Sequence, residues 1–347
     1  MVRPVNCIGW ILKAETLDAV THQAYEWLCK SYAHRGANSD CWHFRHHKNT
    51  LLPQITDSLR QMNHLFSPRQ QYRFPDETYS LYCSADSLVL KVMSLALSEY
   101  LHINHLISPQ CYHVKHHGGL KAAVRDTKAN LNQYRYIFKS DIKGFYEHID
   151  HDILLEDLLS LTGDQPFVEL VGQSLKVPST WGGLYYSHEK GLPRGSPLSP
   201  LLGAVALHRL DAAMQAIKGV FYVRFMDDWV VLCKTKHALK KIVRCTYQVL
   251  GQLKFDLHPD KTYIGKIDKG FDFLGYHFDL IDLSLAKATL DKAIARLQQL
   301  FEQGASNTRL AEYWRRFIQW AHAAVVLSQE ISITPASMDY QTRHMLH

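Results

Sequence analysis

Residues 221–233 read FYVRFMDDWVVLC, and two aspartates, Asp227 and Asp228, sit side by side in a run that is otherwise apolar apart from Arg224. Strand alternation puts Phe221, Val223 and Phe225 on one side and Tyr222 and Arg224 on the other. Residues 230–233 form the returning strand, which leaves residues 226–229 as the turn. Aspartate is common in turns because its carboxylate accepts backbone hydrogen bonds, so a plain two-residue turn is the simplest reading. A plain turn does not explain the apolar flanks. Two carboxylates about 4 Å apart repel by roughly 4 kcal/mol at an effective dielectric of about 20, and a bound divalent cation reverses that cost. A second strand, RYIFKSD at 135–141, ends on Asp141. Magnesium takes one or two carboxylates together with phosphate and water oxygens, so Asp141 and Asp227 suit two ions around a substrate triphosphate.

The chain has 347 residues, 46% hydrophobic and 21% charged, which suits a large lobed protein with a real core and excludes a disordered chain. Its formal charge of +6, with 21 histidines that add to it in an acidic phosphate field, is compatible with nucleic acid. The seven cysteines (Cys7, Cys29, Cys41, Cys83, Cys111, Cys233, Cys245) form no CxxC pair, and the odd count favours reduced thiols. The start of the chain lacks a secretory signal core and no apolar run is long enough for a membrane span. The expectation is a soluble, cytoplasmic, bacterial protein with no membrane partner.

Helical spacing predicts helices over 15–34, 52–65, 85–101, 119–134, 200–217 and 237–253, and two more over 284–303 and 308–327. Asp150 or Asp152 is the expected N-cap of the helix after Asp141. The stretch TWGGLYYSHEKG reads as irregular, and a strand pair is expected around 262–278. Two segments, ANSDCWHFRHHK and CYHVKHHGG (the latter with Cys111, His113, His116 and His117), hold histidine and cysteine. Neither has finger or ribbon spacing, so a basic, phosphate-facing surface is favoured over a metal site. The element order is not a doubly wound alternation. It indicates an α+β fold, an antiparallel sheet with helices on one face.

YVRFMDDWVVL resembles the tyrosine-x-aspartate-aspartate motif of reverse transcriptases, with Phe225 in the tyrosine's place. SDIKGFYEHIDHDIL (140–154) is similar to the first aspartate motif of group II intron and retron-type enzymes. GLPRGSPLSPLL (191–202) resembles the glycine-containing motif between them, and HPDKTYIGKIDKGFDFLGYHF (258–278) resembles the last palm motif and primer grip.

The resemblance implies a right-hand polymerase fold. A helical N-terminal extension would cover 1–75, fingers 76–140, a palm 141–282 with a finger insertion near 155–190, and a helical thumb 283–347. It implies RNA-directed DNA polymerisation with two Mg2+ ions, Mn2+ being a substitute, and a metal-side set of Asp141, Ile142, Asp227 and Asp228. Lys261 would protonate departing pyrophosphate, its alternative being a surface pair with Asp260 or Asp256. Tyr146 would be the gate that excludes a ribose 2′-hydroxyl, its alternative being core packing. Ser199 and Pro200 suit a helix N-cap and first turn, and Gly195 admits the nascent base pair. Leu274 and Gly275 would form the primer grip, and Arg315 belongs to a thumb face that tracks duplex phosphates.

Two departures stand out. Arg194 replaces the glutamine usual before the motif's glycine and is positioned to contact triphosphate or template. The basic finger hairpin of many relatives is not evident, so Lys91, Lys115 and Lys121 are its substitutes in gripping the triphosphate. No endonuclease or RNase H segment is recognisable after the thumb, which favours a stand-alone enzyme. The partners implied are dNTPs, a structured RNA template or cognate non-coding RNA, a DNA product, and a second copy or accessory protein, with antiphage defence as the role. The alternatives are an RNA-dependent RNA polymerase and a non-catalytic RNA-binding splicing cofactor.

Overall fold

The computed structural model describes Leu12, residues 14–75 and residues 77–323. Cys7 and the stretch after residue 323, with the last turn expected of the second C-terminal helix, lie outside the described residues. Three helices come first, α1 (Ala14–Ser31), α2 (Asp40–His46) and α3 (Lys48–Arg60). The strands β1 (Arg69–Arg73) and β2 (Thr78–Leu81) lead into α4 (Ser84–Ile103), α5 (Gly119–Asn130) and β3 (Tyr136–Ser140). Then follow α6 (Phe145–His148), α7 (His151–Thr162), α8 (Gln165–Lys176), β4 (Ser179–Trp181), β5 (Leu184–Tyr186), α9 (Ser199–Ala206) and α10 (His208–Gln215). The hairpin β6 (Val220–Phe225) and β7 (Asp228–Cys233) precedes α11 (Lys236–Gln252) and β8 (Tyr263–Lys266). Three short strands, β9 (Phe271–Phe273), β10 (Tyr276–Phe278) and β11 (Leu283–Leu285), and the helices α12 (Lys287–Glu302) and α13 (Asn307–His322) complete the described chain.

The central sheet is antiparallel throughout, in the order β6-β7-β3-β8. Its strands carry apolar residues on both faces, the pattern of a sheet covered twice. Tyr222, Trp229, Val231 and Phe138 face a core shared with α4 and the helices α7 to α11. Val223, Val230, Leu232 and Ile137 face a second core with α5 and the ring cluster of β9 and β10. The fold is therefore α+β with antiparallel sheets, and the expectation of helices on one face only is corrected: α5 and the β9–β11 sheet close the other.

Local differences from expectation have local causes. Phe225 pairs with Asp228, so the turn is Met226 and Asp227 alone and Trp229 is buried in β7 against Phe138. The helix expected over 200–217 breaks at Leu207, where His208 turns back to donate to the carbonyl of Val205 at 2.8 Å. Ser199 is inside that helix rather than capping it, and its hydroxyl donates to the carbonyl of Pro193 at 2.9 Å. The stretch TWGGLYY is a hairpin, β4 and β5, with Gly182 and Gly183 both at positive φ, as a tight hairpin turn requires. The boundary expected at residue 75 falls in the link between β1 and β2, which pair with each other and, through β1, with β4. Asp150 caps α7 by accepting from Asp152 and Ile153. The six described cysteines are unpaired, and among the described residues no helix is long and apolar enough to cross a membrane. Neither histidine- and cysteine-bearing segment gathers three metal ligands among the described residues.

Arg224 shares its strand face with Tyr222, as alternation predicts, and its side chain is fully buried. It forks onto Asp211 of α10, donating Nε to Oδ1 at 2.7 Å and Nη2 to Oδ2 at 2.5 Å, while Tyr222 donates to the same Oδ1 at 2.7 Å. Removing one member of a buried pair strands the other charge without water. Asp211→Ala is expected to cost about 3–5 kcal/mol in denaturant unfolding, whereas Arg224→Met with Asp211→Leu recovers most of it. A single variant as stable as the original chain would contradict this role.

Candidate active site

The hairpin tip is held from two directions. Met226 sits at φ +57°, a conformation that a side chain with a Cβ resists. Its N–H donates to Nδ1 of His113 at 3.0 Å and its carbonyl accepts from Nη1 of Arg224 at 2.8 Å. His113 comes from the segment read as a basic loop, which instead lies along β6: Arg224 N–H donates to Gln110 and Tyr112 N–H to Arg224. Burial and the Arg224 charge push His113 down to about 3, so the ring is neutral. Its Nε2–H is then free to donate to the carbonyl of Pro200 at 3.2 Å, tying the tip to the start of α9. Both peptide groups of the residue before Asp227 are thus fixed.

Asp141 follows β3 and meets Asp227 across the mouth of the sheet. Asp141 accepts from Nζ of Lys261 at 2.5 Å, so the lysine pairs with this carboxylate and not with Asp260 or Asp256. Asp227 is pushed up to about 6, by burial first and by the neighbouring charge of Asp141 second. Lys261 is shifted up by its bond to Asp141. The peptide of Ile142 lies between two ladder bonds, His258 N–H to Asp141 and Lys143 N–H to Asp256, and is itself left out of that ladder.

Asp228 leads β7 on the face of Val230; it does not line the cavity, although it lies within reach of the charges of Asp141, Asp227 and Lys261. Its Oδ1 is buried without a hydrogen-bond partner, and burial pushes the group up to about 7.

The cavity, about 440 Å³, is also lined by Tyr146, Arg194, Gly195 and Tyr79. Tyr146 sits on the short helix α6, and the loop carrying Arg194 is pinned beside it by Leu192 N–H to the Tyr146 carbonyl at 2.7 Å. Burial and the Asp227 charge push the Tyr146 phenol up to about 12, so it stays neutral. Arg194 reaches Glu77 at 3.4 Å and Glu147 at 3.3 Å and lies over the Tyr146 ring, its centre 5.4 Å away. Gly195 is at φ +100°, and a Cβ there would run into the carbonyl oxygen of Ser80. The glycine is therefore required by β2, whose Ser80 N–H donates to Arg194 at 2.7 Å.

Other expected residues lie elsewhere. Lys91, on α4, has its ammonium 5.2 Å from the Trp27 ring and is shifted down by burial and by Lys115. Neither Lys91 nor Lys115 lines the cavity. Lys121 is held by the Tyr276 hydroxyl at 2.6 Å and the Trp320 carbonyl, which corrects its placement as a triphosphate-gripping residue. Leu274 and Gly275 form the β9–β10 turn, both at positive φ, and Gly275 packs against Trp320 of α13. Arg315 is exposed on α13. Sequence reasoning missed Tyr79 and the Arg224–Asp211 pair, and it read His113 as part of a basic surface, not as a support of the hairpin tip. No motif marked Tyr79, whereas a lone arginine in an apolar strand was a usable signal for the pair.

In the metal-free chain Asp228 holds its proton more tightly folded than unfolded. Its contribution to stability is then present at low pH and lost as the pH climbs from about 4 through about 7. Asp228→Asn is expected to flatten that slope and to stabilise the metal-free protein at pH 8 by on the order of 2 kcal/mol. Thermal unfolding across pH checks this, and an unchanged slope would contradict it.

Comparison with known proteins agrees with this arrangement. Residues 60–278 match the family described as reverse transcriptase (RNA-dependent DNA polymerase). The chain is similar to protein YkfC of Escherichia coli (strain K12), 24% identical over 195 residues, or 46% of this chain and 51% of YkfC. It is similar to the group II intron-encoded protein LtrA of Lactococcus lactis subsp. cremoris, 30% identical over 99 residues, or 28% of this chain and 16% of LtrA. An uncharacterized 91 kDa protein in the cob intron of Schizosaccharomyces pombe is 24% identical over 215 residues, covering 60% of this chain and 23% of that protein. The chain thus spans about half the length of YkfC and smaller shares of the other two. Asp141 facing Asp227 of the hairpin tip, a lysine on Asp141 and a family match over most of the chain lead to one assignment: the chain belongs to the reverse transcriptase family.

Proposed function

We propose that the chain is an RNA-directed DNA polymerase that joins a dNTP to a primer 3′-hydroxyl within the cavity between Asp227 and Tyr146. The observation that carries this reading is the convergence of Asp141 and Asp227, from two different strands, on a polar cavity that also holds Lys261 and Arg194. Two carboxylates so close that burial and mutual repulsion raise one of them fit a divalent cation. Asp141, Asp227 and the carbonyl of Ile142 would hold two Mg2+ ions, with Mn2+ as a substitute, and Asp228 would shape the site or reach the second ion less directly. When bound, the ions supply charge neutralisation for the triphosphate and lower the pKa of the primer hydroxyl.

The protein's own groups do the rest. Lys261, held on Asp141, is placed to give a proton to departing pyrophosphate. Arg194 has two carboxylate neighbours that a triphosphate can displace. The Tyr146 ring fills the space where a ribose 2′-hydroxyl would lie, which favours deoxynucleotides. Gly195 keeps the loop close to β2 under the incoming base.

In this reading the β6-β7-β3-β8 sheet and its helices are the palm, within 141–282. The β2-β1-β4-β5 sheet belongs to the fingers, the first helices to an N-terminal extension, and α12 and α13 to a thumb carrying Arg315. Leu274 and Gly275 form the primer grip at the thumb's base, and Lys115, which does not line the cavity, is an RNA contact. The partners are a structured RNA template or cognate non-coding RNA, its DNA product, and a second copy or accessory protein. A role in antiphage defence rests on the sequence resemblance alone, and a cytoplasmic location on cysteine usage and apolar patterning in the sequence.

Incorporation of labelled dNTPs on an RNA template with a DNA primer tests the reading. Asp227→Ala is expected to reduce incorporation by on the order of 10³-fold. Tyr146→Ala is expected to raise ribonucleotide use relative to deoxynucleotide use by about tenfold. Unchanged incorporation in the first variant, or unchanged selectivity in the second, would remove the corresponding residue from the site.

A further inference from the structure

The end of the central sheet opposite Asp227 has the reverse electrostatic character. Between Asp228 and Asp256 the chain carries no acidic residue and six cations, a number equal to the formal excess of the whole protein. One of the six, Lys254, is paired with Asp150 at 2.6 Å. The other five, Lys234, Lys236, Lys240, Lys241 and Arg244, are exposed and have no carboxylate partner among the described residues.

Strand register gathers further charge at the same place. Val220 pairs with Cys233, Cys233 with Tyr136, and Tyr136 with Lys266, so the far ends of four strands are level. Arg135 and Lys218, both exposed, therefore emerge beside Lys234. On α11, Lys236, Lys240 and Arg244 recur at four-residue spacing on one face, while Ile242, Thr246 and Leu250 of the other face are buried. That stripe is about 12 Å long, and the six residues of β7 separate its beginning from the catalytic tip by about 17 Å.

We infer that this basic end of the sheet, with the outer face of α11, is a docking surface for the sugar-phosphate backbone of folded nucleic acid outside the polymerase cavity. Unpaired cations on rigid elements, outnumbering the exposed Asp268 that follows β8 at this end, match a polyanion and are mismatched to an acid-bearing protein surface of mixed charge. Exposed Tyr247, on the same helix, adds a ring beside the stripe. A template held at the Asp227 end and a folded stem held here would occupy opposite ends of one sheet. The identity of the polyanion as nucleic acid rests on the polymerase reading above.

The test uses the full chain with Lys236→Gln, Lys240→Gln and Arg244→Gln together, substitutions at exposed positions that leave the buried face intact. A blunt hairpin with a blocked 3′ end serves as probe, in an RNA and a DNA arm. Its binding is followed by fluorescence anisotropy between low and high KCl. The slope of log affinity against log salt is expected to fall in magnitude by about 2–3 in the triple variant. Melting temperature and incorporation on a short saturating primer-template are expected to remain as in the unaltered chain. A larger loss in the RNA arm identifies a folded RNA, and an equal loss identifies the shared backbone. An unchanged slope overturns the proposal, and so does an incorporation defect matching the binding defect, because the face would then belong to the template path. Failure of the unaltered chain to incorporate dNTPs removes the polymerase reading but leaves the slope to decide this one.

Discussion

Asp141 and Asp227 repel, and the surrounding structure keeps them from moving apart. Asp141 is fixed by β3, whose strand runs between β7 and β8, and its carbonyl is taken by His258. Asp227 is fixed through the residue before it, since Met226 gives its N–H to His113 and its carbonyl to Arg224. A tip at positive φ is a strained place for methionine, and the two side-chain bonds offset that strain. Arg224 in turn depends on Asp211, so a buried ion pair in one helix-strand contact sets the position of a carboxylate at the surface of the cavity.

The same arrangement separates the two aspartates of the hairpin. The turn leaves Asp227 lining the cavity, while Asp228, the first residue of β7, is buried, and burial pushes its carboxyl up to about 7. The lysine on Asp141 lowers the local repulsion in the free protein and stays close to the place where a leaving group would form. Arg194 is similarly occupied by Glu77 and Glu147 until something more anionic arrives. The cations of the cavity are thus pre-placed by carboxylates of their own chain.

Much of this was legible in the sequence where a local pattern carried it. FMDD with apolar flanks gave the hairpin, SD after an aromatic strand gave Asp141, and the glycine of PRG marked a close backbone approach, which the fold makes to the Ser80 carbonyl. The Gly-Gly of TWGGLYY was an available hairpin signal that an irregular reading passed over. The rest depended on contacts distant in sequence. Arg224 and Asp211 are thirteen residues apart and on elements of different type, and His113 reaches Met226 across more than a hundred residues. Periodicity reads which face a residue occupies, but it does not read which distant group fills that face. The basic cations of α11 were visible as charge, and only the strand register placed them at the end of the sheet away from the cavity.

The central claim is that the Asp141–Asp227 pair is a divalent cation site built into a rigid frame. Thermal unfolding of the metal-free protein at pH 8, titrated with Mg2+, tests it without relying on polymerisation. The melting temperature of the unaltered chain is expected to rise as Mg2+ is added, because a ligand of the native state alone stabilises it. Asp141→Asn and Asp227→Asn are expected to remove that response. A melting temperature indifferent to Mg2+, or a response that survives in both variants, would contradict the account.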